Sequence, residues 1–214
     1  MKILLTAFDP FGGESINPAQ EAVRLVPDSV SGAQIIKLEI PTVFYKSIDA
    51  VISKARDERP DAIVCVGQAG GRYEITPERV AINVNDARIP DNEGNQPLEG
   101  NIYEDGPAAY FSTLPVKAMV KAIRDAGLPS SLSNTAGTFV CNHVMYGVLH
   151  HIAREMPGVR GGFIHVPYTP SQAAHKSPPV PCLSQQDIAR GLEAALAAVV
   201  LNDKDITAAG GKEH

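Results

Sequence analysis

The stretch that most constrains this chain is Gly137-Thr138-Phe139-Val140-Cys141-Asn142-His143-Val144-Met145-Tyr146, where a thiol stands at the threshold of a long apolar-striped helix. Met145, Val148, Leu149 and Ile152 fall four, seven, eight and eleven residues past Cys141 and share its helix face, so that face must turn inward. Gly137 and Thr138 read as turn and N-cap, which puts Cys141 in the first helical turn. Unpaired amides and the positive end of the helix dipole gather there, and both favour thiolate over thiol. A free cysteine is more often a small buried hydrophobe, so reactivity at Cys141 requires a partner.

Around this helix the patterns of strand and helix alternate. Residues 2–8 form an apolar strand, the loop 9–16 follows, and Asn17-Pro18 opens a helix with asparagine as cap and proline at its first position. A strand near 33–40 leads to a helix over 41–58 carrying Val43, Ile48, Val51, Ile52 and Ala55 inward; 61–66 has the unbroken apolar run of a strand covered on both faces. Gly67-Gln68-Ala69-Gly70-Gly71-Arg72 then forms a glycine-rich loop at a strand's carboxyl end, where open α/β sheets hold ligands. Residues 76–84 alternate, with Glu78 on the parity of Val80, Ile82 and Val84. The polar stretch 87–106 is too long for a simple connection and suits a lid or an interface. A helix over 115–126, short strands near 130–134 and 162–168, and a last helix over 184–201 complete the pattern. With 214 residues, 44% of them hydrophobic, this predicts a single α/β domain over 1–214 with a flexible tail at 202–214.

Charge and cysteine use narrow the function. A net charge of −5 without any Lys/Arg run argues against nucleic acid and against a membrane surface as partner. The first apolar run is too short for a signal peptide, and three cysteines without a CxxC pair suit a reduced, cytoplasmic protein. Cys65 lies within a strand and reads as inert core; Cys182, among prolines, reads as an exposed loop residue. Neither glycine loop matches a dinucleotide fingerprint or a P-loop, and no pair of histidines has zincin spacing.

Of the six histidines, five fit poorly as a base for Cys141. His143 is two residues on, about 200° around the helix; His150 and His151 are about 13–15 Å down its axis. These three read as solvated polar-face residues, while His175 and His214 fall in loop and tail. His165 remains, flanked by Phe163, Ile164 and Val166, where an imidazole must find a hydrogen-bond partner or be a satisfied core residue. Glu78 could be that partner, leaving the other nitrogen to take the thiol proton; the plainer alternative for Glu78 is a surface ion pair with Arg79 or Arg72. Pocket candidates carry the same ambiguity: Phe8 and Phe11 are pocket wall or core, Asn17 polar reader or helix cap, and Gln68 a polar reader.

Phe8-Asp9-Pro10-Phe11-Gly12-Gly13, Pro77-Glu78-Arg79-Val80-Ala81, Arg88-Ile89-Pro90-Asp91-Asn92, Phe139-Val140-Cys141-Asn142 and Phe163-Ile164-His165-Val166-Pro167-Tyr168, in this order, resemble the pyroglutamyl peptidase I (pyrrolidone-carboxylate peptidase) family, and the likeness runs from about residue 2 to the final helix. The resemblance implies a cytosolic cysteine peptidase without cofactor or metal that removes an N-terminal pyroglutamyl residue from peptides. It implies an open twisted mixed sheet with helices on both faces, a phosphorylase/hydrolase-like sandwich, and a homotetramer. It further implies a Glu78, Cys141, His165 triad, an apolar pocket from Phe8, Phe11 and Phe139, and oxyanion support from Arg88 and amides near Cys141. A non-catalytic module for blocked peptide N-termini and a hydrolase or acyltransferase for another small lactam or thioester are the competing readings.

Overall fold

The computed structural model describes residues 1–211. The strand β1 (Lys2–Phe8) leads through a loop to α1 (Pro18–Leu25), whose cap is Asn17: its Oδ1 accepts from Ala19 N at 3.0 Å. Next come β2 (Ser29–Val30), β3 (Ala33–Ile40), α2 (Lys46–Glu58), β4 (Ala62–Gln68), β5 (Thr76–Pro77), β6 (Val80–Ile82) and β7 (Ala109–Phe111). Then follow α3 (Val116–Asp125), α4 (Val140–Glu155), β8 (Arg160–Val166), α5 (Pro170–Ala173) and α6 (Gln185–Leu201).

Six strands form one mixed sheet in the order β2-β3-β1-β4-β8-β5, with the two edge strands antiparallel to their neighbours and the inner pairs parallel. β6 and β7 pair separately. Period-2 alternation divides the apolar residues between two cores. Ile3, Leu5, Ala7, Val64, Val66, Ile164 and Val166 pack with α1, α3 and α6; Leu4, Phe8, Ile63, Cys65 and Phe163 pack with α2 and α4. The helices thus cover both faces, as the sequence pattern requires. β1 connects outward to β3, while the chain returns across β1 to reach β4, so the loops after β1 and β4 diverge at a switch point where such sheets form a crevice.

Several boundaries differ from expectation for local reasons. The helix expected over 41–58 begins only at Lys46, because Tyr45 takes φ 61° and ψ −50° and Lys46 N donates back to Phe44 O at 2.7 Å. This is a strained γ-turn rather than a helical one. The alternating stretch 76–84 is broken at Glu78: its amide still bonds Phe163 O, but the next amide, Arg79 N, turns to Ser133 O. The strand expected near 130–134 survives as isolated bridges at Ser130 and Ser133. The segment expected as a flexible tail is docked over 202–211: both oxygens of Asp205 accept from Lys117 N at 3.0 Å, Ile206 packs on the core, and Arg79 Nη2 donates to Gly210 O at 2.9 Å. Residues 212–214, with His214, lie outside the described residues.

α4 packs closely on α2 at Gly147, where an added Cβ would collide with Ile48 Cδ1 and Cγ1. Gly147→Ala should therefore destabilise the fold. Overpacking of about 1–3 kcal/mol should outweigh the roughly 1 kcal/mol that alanine gains in helix propensity, and a lowered urea midpoint would register it.

Candidate active site

β8 carries Phe163 and His165 on one parity, so both side chains face the α4 side of the sheet; their rings lie 4.8 Å apart. Across the parallel pairing His165 is in register with Gly67 of β4. α4 begins above this point, with Phe139 as N-cap and Cys141 as second helical residue. A Cβ on Gly67 would lie 2.9 Å from Cys141 Sγ and 2.7 Å from Phe163 Cζ. The missing side chain is thus what lets the thiol settle over the strand beside His165, a role that the sequence pattern, which marked Gly67 only as part of a loop, did not reveal. The cap is Phe139 rather than Thr138, whose hydroxyl instead donates to Asp86 O at 2.7 Å.

His165 Nδ1 is 2.7 Å from Glu78 Oε1, and both residues are buried, at 4% and 0% exposure. With Nδ1–H donated to the carboxylate, Nε2 carries the lone pair. Burial pushes His165 below the ordinary histidine range, against the raising effect of Glu78. Burial would raise Glu78, but the hydrogen bond from His165 and the adjacent Arg72 charge hold it below the usual carboxylate value. The pair rests as carboxylate and neutral imidazole.

The thiol departs from expectation. Burial pushes Cys141 up to about 12, the Glu78 charge adds to the rise, and Arg72 opposes it. The helix start favours thiolate, yet at this half-buried position desolvation and the nearby carboxylate prevail, so the resting sulfur is protonated. Cys65 is fully buried and also pushed to about 12; Cys182, expected to be exposed, is half-buried where it bridges Tyr168.

The helix histidines are not solvated as expected, because α4 is covered by α2 on one side and by β6, β7 and the 87–106 loop, through Tyr103 and Asp105, on the other. His143 is fully buried, its Nδ1 2.9 Å from Asn85 Oδ1 and its Nε2 accepting from Tyr45 N at 2.8 Å. It thereby holds the γ-turn that presents Phe44 edge-on to Phe139, with ring centroids 5.5 Å apart. His150, 4% exposed, stacks on Tyr103 and meets Tyr110 Oη at 3.2 Å. His151 contacts Glu155 and Tyr103, and His175 is exposed. Among the described residues no three His, Cys, Asp or Glu side chains gather as a metal-binding group.

Pocket candidates separate by environment. Phe8 is 2% exposed and packs on Phe163, and Asn17, 1% exposed, spends its amide on Ala19 N and Asp9 O, so each fills its structural role. Phe11 and Phe139 are half-buried with rings 6.4 Å apart. Phe44, hidden in a stretch that read as helix, completes this aromatic group. Gln68 Oε1 accepts from Gln172 Nε2 at 3.1 Å, and Arg88 is exposed, two residues past Asp86, whose amide bonds Thr138 O beside the start of α4. The 87–106 loop is pinned: Asp91 accepts from Phe44 N, Glu93 N and Asn95 N, and Asn92 Nδ2 donates to Pro10 O at 2.9 Å. The arrangement can perform nucleophilic acyl transfer: a thiol, a neutral base with a free nitrogen near it, a carboxylate orienting that base, and helix-start amides able to bind an oxyanion.

Burial pushes His143 down to about 3 from an ordinary 6.5. Between those values the unfolded chain binds a proton that the folded chain refuses, so stability is lost as pH falls, by about 1.4 kcal/mol per unit from this residue. Urea titrations across that range should show the loss, and His143→Gln should make the slope shallower.

The sequence model for pyroglutamyl peptidase matches residues 1–202. Pyrrolidone-carboxylate peptidase of Clostridium perfringens is 61% identical over 211 residues, covering 99% of each chain; that of Finegoldia magna is 57% identical over the full length of both. Among solved structures, pyroglutamyl peptidase I from Bacillus amyloliquefaciens superposes with a TM-score of 0.94 at 51% identity, covering 97% of this chain and 99% of its own. Pyrrolidone carboxyl peptidase from Thermococcus litoralis does so with 0.90 at 35% identity, covering 95% and 96%.

Proposed function

Because the chain belongs to the pyroglutamyl peptidase family, we propose that Cys141, His165 and Glu78 are the nucleophile, the base and the orienting carboxylate of its reaction. The protein is a cysteine exopeptidase that hydrolyses the bond between an N-terminal pyroglutamyl residue and the rest of a peptide. The observation that carries the triad reading is the buried 2.7 Å hydrogen bond from His165 Nδ1 to Glu78 Oε1, one strand away from a thiol seated over Gly67.

In this reading His165 Nε2 takes the Cys141 proton as the sulfur attacks the pyroglutamyl carbonyl carbon. The pair rests as thiol and neutral imidazole, so proton transfer accompanies attack rather than preceding it. Negative charge moves to the carbonyl oxygen, where amides of the first α4 turn, with Arg88 near that end, stabilise it; each donor contributes about 3 kcal/mol. The tetrahedral intermediate collapses, the carbon–nitrogen bond breaks, and His165 returns its proton to the leaving amine. Water, deprotonated by His165, then attacks the thioester, releasing pyroglutamate and restoring the thiol.

Phe11 and Phe139 are the walls we assign to the lactam ring, with Phe8 backing them from the core and Phe44 buttressing Phe139. Gln68 is the polar reader at the strand end, and Asn17 acts by fixing the Asp9 loop. An apolar slot accepts a neutral lactam and refuses the charged ammonium of an ordinary N-terminus, whose desolvation would go uncompensated. No helix among the described residues is long and apolar enough to cross a membrane. A cytoplasmic location and a homotetramer, both carried over from the family resemblance, complete the reading.

Cys141→Ala should abolish hydrolysis of a chromogenic pyroglutamyl amide while leaving the circular dichroism spectrum unchanged; retained activity would remove Cys141 from the mechanism. Because His165 is pushed below the ordinary value of 6.5 and Cys141 up to about 12, kcat/KM should stay level through neutral pH. It should fall on the acid side only below the ordinary histidine value, as the base is protonated. Glu78→Gln should lower kcat far more than it raises KM.

A further inference from the structure

Glu78 has a second partner. Arg72, in the loop after β4, places Nη1 2.7 Å from Glu78 Oε1 and 2.7 Å from Thr76 Oγ1, while Nη2 donates to Thr135 O at 3.1 Å. One guanidinium thus ties the loop after β4 to the edge strand β5, to the carboxylate just past that strand's end, and to the segment that runs into the first turn of α4. Glu78 Oε2 is buried without a hydrogen-bond partner. Imidazole and guanidinium therefore meet on the same oxygen.

We propose that Arg72 is a positioning residue of the hydrolysis, holding Glu78 ionised and turned onto His165 so that the imidazole waits as a neutral base. The proposal rests on the triad assignment above. A buried carboxylate beside a buried imidazole readily takes up one proton between them, and a pair so protonated can no longer accept the proton of the thiol. A guanidinium that never loses its charge, in contact with the shared oxygen, disfavours that uptake. It acts again during attack. Once the thiol proton reaches Nε2, Arg72, Glu78 and the imidazolium carry one net positive charge opposite the developing oxyanion; without Arg72 they carry none.

No other charged group acts on the pair among the described residues: the neighbouring charged side chains have partners elsewhere, Glu74 accepting from Ser131 Oγ and Arg79 donating to Gly210 O, and the Cys141 thiol is neutral. Arg72 is also the cation whose charge bears on Glu78, His165 and Cys141 alike.

The test is the pH dependence of kcat/KM on a chromogenic pyroglutamyl amide for wild type, Arg72→Met and Arg72→Lys. Loss of the cation should move the acid limb of Arg72→Met to higher pH by roughly one unit or more, so activity falls about tenfold or more on that limb. Arg72→Lys, which keeps the charge but not the fork, should return the limb close to its wild-type position with kcat only partly restored. A merely structural role would lower kcat in both variants without moving the limb. An Arg72→Met limb coincident with wild type, or an Arg72→Lys limb displaced equally far, would overturn the proposal. Arg72→Gln replaces the methionine variant, under the same expectation, if circular dichroism shows that variant unfolded. Mass spectrometry of acyl-enzyme trapped on the wild type separates the two levels: an adduct away from Cys141 sinks the triad assignment, whereas an adduct on Cys141 with unmoved limbs sinks the role of Arg72 alone.

Discussion

The first turn of α4 can lie directly on the sheet only where β4 offers no side chain, and the geometry of the whole site follows from that contact. Any residue larger than glycine at position 67 would press on both Cys141 Sγ and the Phe163 ring. Phe163 is the floor on which Phe8 and the His165 ring rest, so one absent methyl group sets the height of thiol and imidazole together. Close-packed interiors transmit such displacements rather than absorb them. The position lies at the carboxyl ends of β4 and β8, beside the crevice where the loops after β1 and β4 part, so the site inherits its place from the strand order.

Electrostatics then determines which protonation states that geometry can hold. Glu78 has no exposure to water, and a lone carboxylate there would be costly. Its charge survives because His165 and Arg72 share its Oε1. The same burial that makes the pair strong keeps the thiol protonated, so the helix-start location of Cys141 does not suffice to ionise the resting sulfur. Glu78 shows how two readings of one residue can coexist: the ion pair with arginine is present, but inside the protein and on the same oxygen that bonds His165.

Polar side chains, together with a few buried apolar ones such as Ala87 and Ile102, hold the irregular half of the molecule. Asn142 accepts from Ile82 N and donates to Ile82 O and Val84 O; Asn83 accepts from Ile102 N and Tyr103 N; His143 and Asp91 fix the turn at Tyr45 and Phe44. Long loops carry backbone groups that no ladder satisfies, and these side chains satisfy them. That is why three residues with surface-like chemistry, His143, His150 and Asp91, are buried, and why helical periodicity misjudged the two histidines. Periodicity reports which face meets the core; it does not report that a distant loop covers the opposite face.

The sequence by itself determined the alternation of strands and helices, the placement of Cys141 in the first turn of α4 and of His165 within the apolar strand β8, and, through five ordered motifs, the family. These are local or pairwise-repeating properties, set by side-chain period, capping and motif order. Only the tertiary structure decided that Glu78 and His165 share a hydrogen bond across 87 positions of sequence, that Gly67 is needed for the seat of the thiol, and that Arg72 completes the carboxylate's environment. It also decided that Phe8 and Asn17 spend their side chains on packing and capping, and that the segment through Gly210 docks instead of fraying. Each of these depends on which distant surfaces meet and how much water they exclude. Such meetings arise from strand order and close approach, which no local window of residues encodes.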